Sequence, residues 1–340
     1  MIGTRRIVLA AVGLLAASVA LPAQTQAQAQ AQTQAQAWPA RFVRLVVPGG
    51  SGTAADVSAR IVAQALSERW GQQVVVENRP GAGGVVGTAQ VAQAVADGYS
   101  LLFAQGAPLS LTPHAFKSVP YDVERDFEPI IFAGYGPLVL ASSPRLPVTS
   151  VAELIDLARR QPGKLSFATA SSRSIPHLAA EYFMRAAGVE MVNIPYNGYP
   201  RAIQDTVTGV VDVIFGGAQI IPQRESGNLR MLGVTTRNRI PGYEDIPAIG
   251  ETVPGYAIAG WAALLAPKGT PASIVAKINA DMRQVLDLPD VRKRLHALGN
   301  YPDTAALGTP LALAQFIRDD AALMQRILKA ANLQPEDRPK

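Results

Sequence analysis

From Arg41 onward the chain alternates short β-branched runs with stretches of helical periodicity, and this alternation limits the possible folds more than any other feature. "VRLVV" (Val43 to Val47), "QVVVE" (Gln73 to Glu77) and "YSLLFA" (Tyr99 to Ala104) have the length and composition of strands. Between the first two, Ala54, Val57, Ile61, Val62, Ala65 and Leu66 fall on one face at 3.6-residue spacing. Strand and helix in alternation predict an α/β fold built on a parallel sheet covered on both faces.

A second series starts after "LVLASSPRLPVTS", Leu138 to Ser150, where prolines and serines interrupt the pattern. Helix "SVAELIDLARR", strand "LSFAT" and helix "IPHLAAEYFMRAAG" follow, then strand "MVNIPY", helix "YPRAIQDTVTG" and strands "VDVIF" and "LRMLGVT". The strand-like "GWAALLAP" (Gly260 to Pro267) leads into helical stretches with boundaries near Pro271, Pro289 and Thr309. These last helices have no sheet of their own and are expected to pack back on the first unit. The chain then crosses between two lobes twice, near Ala141 and near Ile258, as in a hinged two-lobe protein. The expected division is residues 38–141 plus 259–340 for one lobe and 142–258 for the other.

The first residues have the parts of an export signal: Arg5 and Arg6, an apolar core from Ile7 to Ala23, and small residues suited to cleavage. "TRRIVL" leaves open whether the general or the twin-arginine route is used. The Gln/Ala run up to Ala37 reads as a flexible tether. Removing both takes away two of the 31 basic residues and none of the 26 acidic ones, so the net charge falls from +5 to +3. No Lys/Arg cluster with interleaved aromatics appears, which argues against nucleic acid as a partner. The sequence has no cysteine. A lipid-anchored cysteine is therefore excluded, and the expectation is a soluble, monomeric protein of the periplasm held by its core rather than by disulfides.

"ENRPGAGGVVG", Glu77 to Gly87, follows a strand and precedes a helix, so a nucleotide-phosphate loop has to be considered. Its glycines, Gly81, Gly83, Gly84 and Gly87, miss the G-x-G-x-x-G spacing by one residue, and the next strand ends in Gln105 where the ribose would need an acid. No Gly-Lys-Ser/Thr follows. The segment reads as a turn at Pro80 and Gly81, with Gly84 and Gly87 letting a helix sit close to the sheet, and no cofactor is expected.

"ENRPGAGG", with "DGYSLLFA", "VPYDVERDFEPI", "LPVTSVAELIDLAR", "PGKLSFAT", "HLAAEYF", "IPYNG", "GVVDVIF", "LRMLGVT", "LLAPKGTP" and "VRKRLHALG" in order, resembles the receptor family of tripartite tricarboxylate transporters, also called the Bug family. The resemblance runs almost without gaps from Val43 to Leu333. It implies a type II-like periplasmic binding protein whose two α/β lobes close on a small organic anion, usually a carboxylate, and deliver it to an integral membrane permease. The same chemistry would serve an exported sensor that docks on a signalling receptor.

The loop "PGGSGTAAD" (Pro48 to Asp56) joins the first strand to the first helix, and Thr53 with Asp56 forms a T-x-x-D capping box. Backbone N–H groups at that positive helix end suit a carboxylate, which makes Gly49, Gly50, Ser51, Gly52 and Thr53 candidate ligand residues, with Asp56 as a cap. In the family this loop resembles P-x-x-x-G-G-x-x-D, often with an aromatic and a second proline where Gly49 and Gly50 stand here. The matching loop of the second lobe is "ATASSRSIPHL", in which Ser174 can cap the next helix and Ser171, Ser172 and Ser174 offer hydroxyls. The family segment resembles G-N-G-T-S-S-H-L, so Ser174 stands at its Thr, His177 at its His, and Arg173 replaces a glycine. Pointing into the cleft, Arg173 is a bidentate carboxylate partner; pointing out, it is a solvated charge. Gln105 and Gly216 complete the candidate set; in many relatives an Asp stands where this chain has Gly216.

Ser174 and His177 do not make a hydrolase, because no G-x-S-x-G elbow surrounds the serine and no acid is placed to orient the imidazole. His114, His177 and His296 lack metal-ligand spacing. With no acidic residue at a strand end to neutralise a buried ammonium, and with Gly49, Gly50 and Gly216 removing side-chain volume, the expected ligand is an organic acid without an amino group, of bulky or aromatic shape.

Overall fold

The structure, a computed structural model, describes residues 38–169, 174–196 and 198–337. Its first lobe is built on strands β1 (Val43–Val47), β2 (Val74–Asn78), β3 (Ser100–Gln105) and β4 (Phe127–Gly136), with helices α1 (Ala54–Trp70) and α2 (Val85–Ala92) between them. The second lobe holds β5 (Val139–Ser142), α3 (Val151–Arg160), β6 (Ser166–Thr169), α4 (Ile175–Ala187), β7 (Val192–Pro195), α5 (Tyr199–Val207), β8 (Val213–Gly216) and β9 (Arg230–Val234). The chain then returns through β10 (Gly260–Pro267) and ends in α6 (Ala272–Asp287), α7 (Pro289–Ala297) and α8 (Pro310–Ala330).

Each lobe carries a five-stranded sheet, in the orders β2-β1-β3-β10-β4 and β7-β6-β8-β5-β9. The sheets are mixed rather than parallel. β1 runs parallel to β2 and β3, but β10 is antiparallel to β3 and β4. In the second sheet β6 is parallel to β7 and β8, whereas β5 is antiparallel to β8 and β9. The reason is the double crossing: β5 and β10 each arrive from the other lobe, so they enter their sheet from the cleft side and run against strands that end there.

Alternation along each strand builds two core layers. Val43, Leu45 and Val47 face one cluster with Leu101 and Phe103, while Val46, Leu102 and Ala104 face the other. Across the first layer Asp281 of α6 ties down the end of α1, accepting from Arg69 Nε at 2.6 Å, Trp70 Nε1 at 2.8 Å and Lys277 Nζ at 2.9 Å. Gly87 of α2 lies so close to the β1 end that a Cβ there would meet Arg79 O at 2.8 Å and Pro48 Cα at 2.9 Å, the close helix approach expected of the glycine segment.

The first passage between sheets occupies Pro137 and Leu138, between β4 and β5. Ala141, expected at that crossing, is instead buried in β5 opposite Ile214 and Met231. On the return, Ile258 N–H donates to Thr235 O at 2.9 Å just before β10. The C-terminal helices do not all pack on the first lobe. α8 gives Leu313 and Ile317 to a first-lobe cluster, but its later turns place Met324, Ile327 and Leu328 in the cluster around Phe167, Phe183 and Phe215 of the second. A 21-residue helix is about 31 Å long and can reach both.

Candidate functional site: the cleft between the lobes

Between the lobes lies a cavity of about 840 Å³ whose walls come from both sheets' cleft-side ends. The first lobe contributes Ala54, Ala55 and Ser58 of α1 and the segment Gln105 to Ala107; the second contributes Ser174, Tyr199 and Gln219; the two crossings supply Pro137, Leu138 and Trp261.

α1 opens as its sequence requires. Thr53 has extended backbone, and its Oγ1 accepts from Asp56 N at 3.3 Å, while the Asp56 carboxylate accepts from Gly52 N at 2.8 Å. The reciprocal bond thus goes to the residue before the cap. Burial pushes the Asp56 carboxyl up, but hydrogen bonds from Arg60, Gly52 N–H and Asn78, with the Arg60 charge, outweigh it and hold Asp56 below the usual carboxylate range. Asp56 is a charged cap. Val57 N–H donates to Thr53 O at 2.9 Å, so the helix itself leaves Ala54 and Ala55 N–H without an acceptor, and both residues line the cavity.

The expected ligand residues separate into groups. Gln105 and Ser174 line the main cavity. Gly49 lines an adjoining pocket of about 340 Å³, formed with Pro80 to Gly84, which shares Ala55, Gly83, Gln105 and Ala107 with the main cavity. Gly50, Ser51, Gly52 and Thr53 line neither; Gly50 O accepts from Thr53 Oγ1 at 2.8 Å, and these residues shape the loop that presents Ala54. Gly216 is buried in β8 and is also absent from the wall. The space over it belongs to protein, since a Cβ there would meet Ile220 Cγ2 at 2.7 Å and Tyr199 Cε1 at 3.1 Å, so Gly216 gives the ligand no added volume. Ser171, Ser172 and Arg173 lie outside the described residues.

Ser174 caps α4 with a 3.5 Å contact from His177 N. His177 is buried below, with Nε2 3.1 Å from Asn193 Nδ2 and its ring beside Phe167. Among the described residues no group of His, Cys, Asp and Glu could hold a metal ion.

Sequence reasoning missed much of the wall. Trp261 begins β10, and its Nε1 donates to Asp320 Oδ2 at 2.8 Å, an oxygen that also accepts from Ser110 Oγ at 2.5 Å. Burial raises the Asp320 carboxyl above the ordinary range, although both donors pull it down. Tyr199 opens α5, and burial pushes its phenol up to about 12 against the opposing pull of the neighbouring Gln219 side chain and Gly217 N–H. Asn300, after α7, lines the cavity with its Oδ1 buried and, among the described residues, without a hydrogen-bond partner. The charged side chains among the described lining residues are Glu336 and Asp337, both exposed, with Asp337 paired to Lys117 at 3.1 Å. Both follow the last helix and lie away from any strand end.

No helix among the described residues is long and apolar enough to cross a membrane. The sequence pattern of the tripartite tricarboxylate transporter family receptor matches residues 58–333. BugT of Bordetella pertussis is 35% identical over 286 residues, covering 83% of this chain and 87% of BugT. Among solved structures, R. palustris Rpa4515 with adipate is 34% identical with a TM-score of 0.73, covering 88% of this chain and 99% of that one. MatC from Rhodopseudomonas palustris with bound malate is 28% identical with a TM-score of 0.69, covering 86% and 100%. These relatives are solute-binding receptors and not enzymes, and they share the two-lobed fold of periplasmic binding proteins. The chain belongs to the tripartite tricarboxylate transporter receptor family.

Proposed function

We propose that this protein is an exported, monomeric receptor of the periplasm that captures a small organic acid in the interlobe cleft and hands it to a membrane permease. The observation that carries the reading is the α1 end: two backbone donors, Ala54 and Ala55 N–H, at the positive pole of a 17-residue helix, on residues that line the cavity. Ser174 and Tyr199 line the same space from the other lobe. Backbone and hydroxyl donors suit a carboxylate, and the apolar side chains of Leu111, Leu138, Ile175 and Trp261 suit its carbon skeleton. The adipate and malate held by related receptors support the same class. Closure of the lobes about Pro137–Leu138 and the Ile258–Gly260 return would seal the anion from water and present a closed form to the permease.

A thermal-shift screen of the purified protein against mono-, di- and tricarboxylates, aromatic acids and amino acids tests this. An acid at about 100 times its Kd stabilises the folded form by roughly 2.7 kcal/mol. Stabilisation by carboxylates and not by matched amides or alcohols is expected; a flat response across all acids would contradict it.

A further inference from the structure

The hydroxyl of Tyr199 has chemistry that the lobe itself does not use up. A phenol oxygen offers two acceptor lone pairs and one proton. Here the oxygen lies beside the Gln219 side chain and Gly217 N–H, and among the described residues its proton meets no acceptor. Tyr196, three positions earlier, makes the contrast: its hydroxyl donates to Asp205 Oδ2 at 2.8 Å, inside its own lobe.

The ring is held in place. Its Cε1 edge lies over Gly216, 3.1 Å from where a Cβ would stand, with Ile220 filling the remaining room. A side chain at position 216 would push the ring away, so the bare glycine and the tyrosine fit as a pair. Tyr199, Gly217 and Gln219 all line the cavity. The result is one O–H donor, held by the packing of its ring over Gly216 and against Ile220, in the wall opposite the α1 end.

We propose that Tyr199 is a specificity-determining residue whose O–H reads an acceptor oxygen at the far end of the bound acid, while the first carboxylate sits at Ala54 and Ala55. The inference rests on the carboxylate reading above. It selects acids with a second oxygen-bearing end, such as another carboxylate, over acids that end in an alkyl group or an ammonium. An alkyl end would leave the O–H unpaired, and an ammonium would set donor against donor. Gln219 acts as a positioning residue for this hydroxyl.

The test is titration calorimetry with two matched pairs, succinate against butyrate and adipate against hexanoate, on the wild type, Tyr199→Phe and Gln219→Leu. In the wild type the diacid of at least one pair should bind about tenfold or more tightly than its monoacid, as expected for a hydrogen bond to a charged group. Tyr199→Phe should lose that advantage by weakening the diacid about tenfold more than the monoacid. Gln219→Leu should lose part of it. Equal affinity of diacid and monoacid in the wild type, or Tyr199→Phe affecting both to the same extent, would overturn the assignment and leave the carboxylate reading intact. A wild type that binds none of the four acids would overturn both.

Discussion

Trp261 Nε1 donates to Asp320 Oδ2 at 2.8 Å, and that bond joins the returning strand β10 to helix α8 directly beneath the cleft. Buried Ser110 reaches the same oxygen at 2.5 Å. Neither neighbour is a cation, so burial dominates and the folded state holds the Asp320 proton more tightly than the unfolded chain does. A group of this kind contributes its full stability below its unfolded value, near 3.8, and loses it as pH rises through the higher folded value. Asp320→Asn, which keeps an acceptor for Trp261, should flatten that decline. Urea denaturation of both proteins from pH 3.5 to 7 checks it; parallel curves would show that Asp320 does not titrate in this way.

Asp281 behaves in the opposite sense. Burial raises its carboxyl, but Arg69, Lys277 and Trp70 together outweigh that and hold it below 3.8. Its stability is present above the unfolded value and is lost as pH falls through the folded one. Asp281→Ala leaves the Trp70 N–H and the cations Arg69 and Lys277 without their shared acceptor, and should cost about 3 kcal/mol in equilibrium denaturation at pH 7. A loss below about 1 kcal/mol would show that solvent replaces the carboxylate.

Gly106 lies flat on the Trp261 indole; a Cβ there would stand 2.4 Å from both Cε2 and Nε1. Its φ of −61° suits any residue, so the constraint is contact and not backbone strain. Gly106→Ala must displace a buried indole that lines the cleft and should destabilise by about 1 to 3 kcal/mol with loss of acid binding. Unchanged melting and affinity would mean that the indole moves freely.

How much of this was legible in the sequence follows from which signals are local. β1, β3, α1 and α4 carry their own periodicity and caps, so Thr53 and Ser174 could be found from Thr-x-x-Asp and Ser-x-Pro patterns. β4 and β5 were not found, because Pro129, Pro137 and the run of serines and prolines after Leu140 resemble loop sequence; their strand character depends on pairing with β10, β8 and β9. Crossing strands also reversed the expected parallel order. In the cleft, backbone donors were legible as helix ends, whereas Tyr199, Trp261 and Asn300 carry no motif and enter the wall only through the tertiary fold. Gly216 reads as open volume in the sequence because the Tyr199 and Ile220 side chains that fill it are brought there only by the fold.

Closure is the motion the double crossing permits. At the crossing Gly136 pairs with Gly260, so no side chain stands between the ends of β4 and β10. Saturation with a bound acid should lower the radius of gyration in small-angle scattering, whereas unchanged scattering at saturation would require a rigid cleft.

The central claim is that a carboxylate sits on the first-turn amides of α1. Ala54 is the first helical residue, and Thr53 before it is already extended (φ −71°, ψ 159°), so proline is sterically acceptable there and deletes one N–H without breaking the helix. Titration calorimetry of the wild type and Ala54→Pro with the best acid of the panel, alongside their melting temperatures, is the direct measurement. Saturable binding by the wild type, weakened about tenfold or more in Ala54→Pro at unchanged melting temperature, is the predicted result. An Ala54→Pro protein that binds the acid as tightly as the wild type would contradict it and move the anion away from this helix.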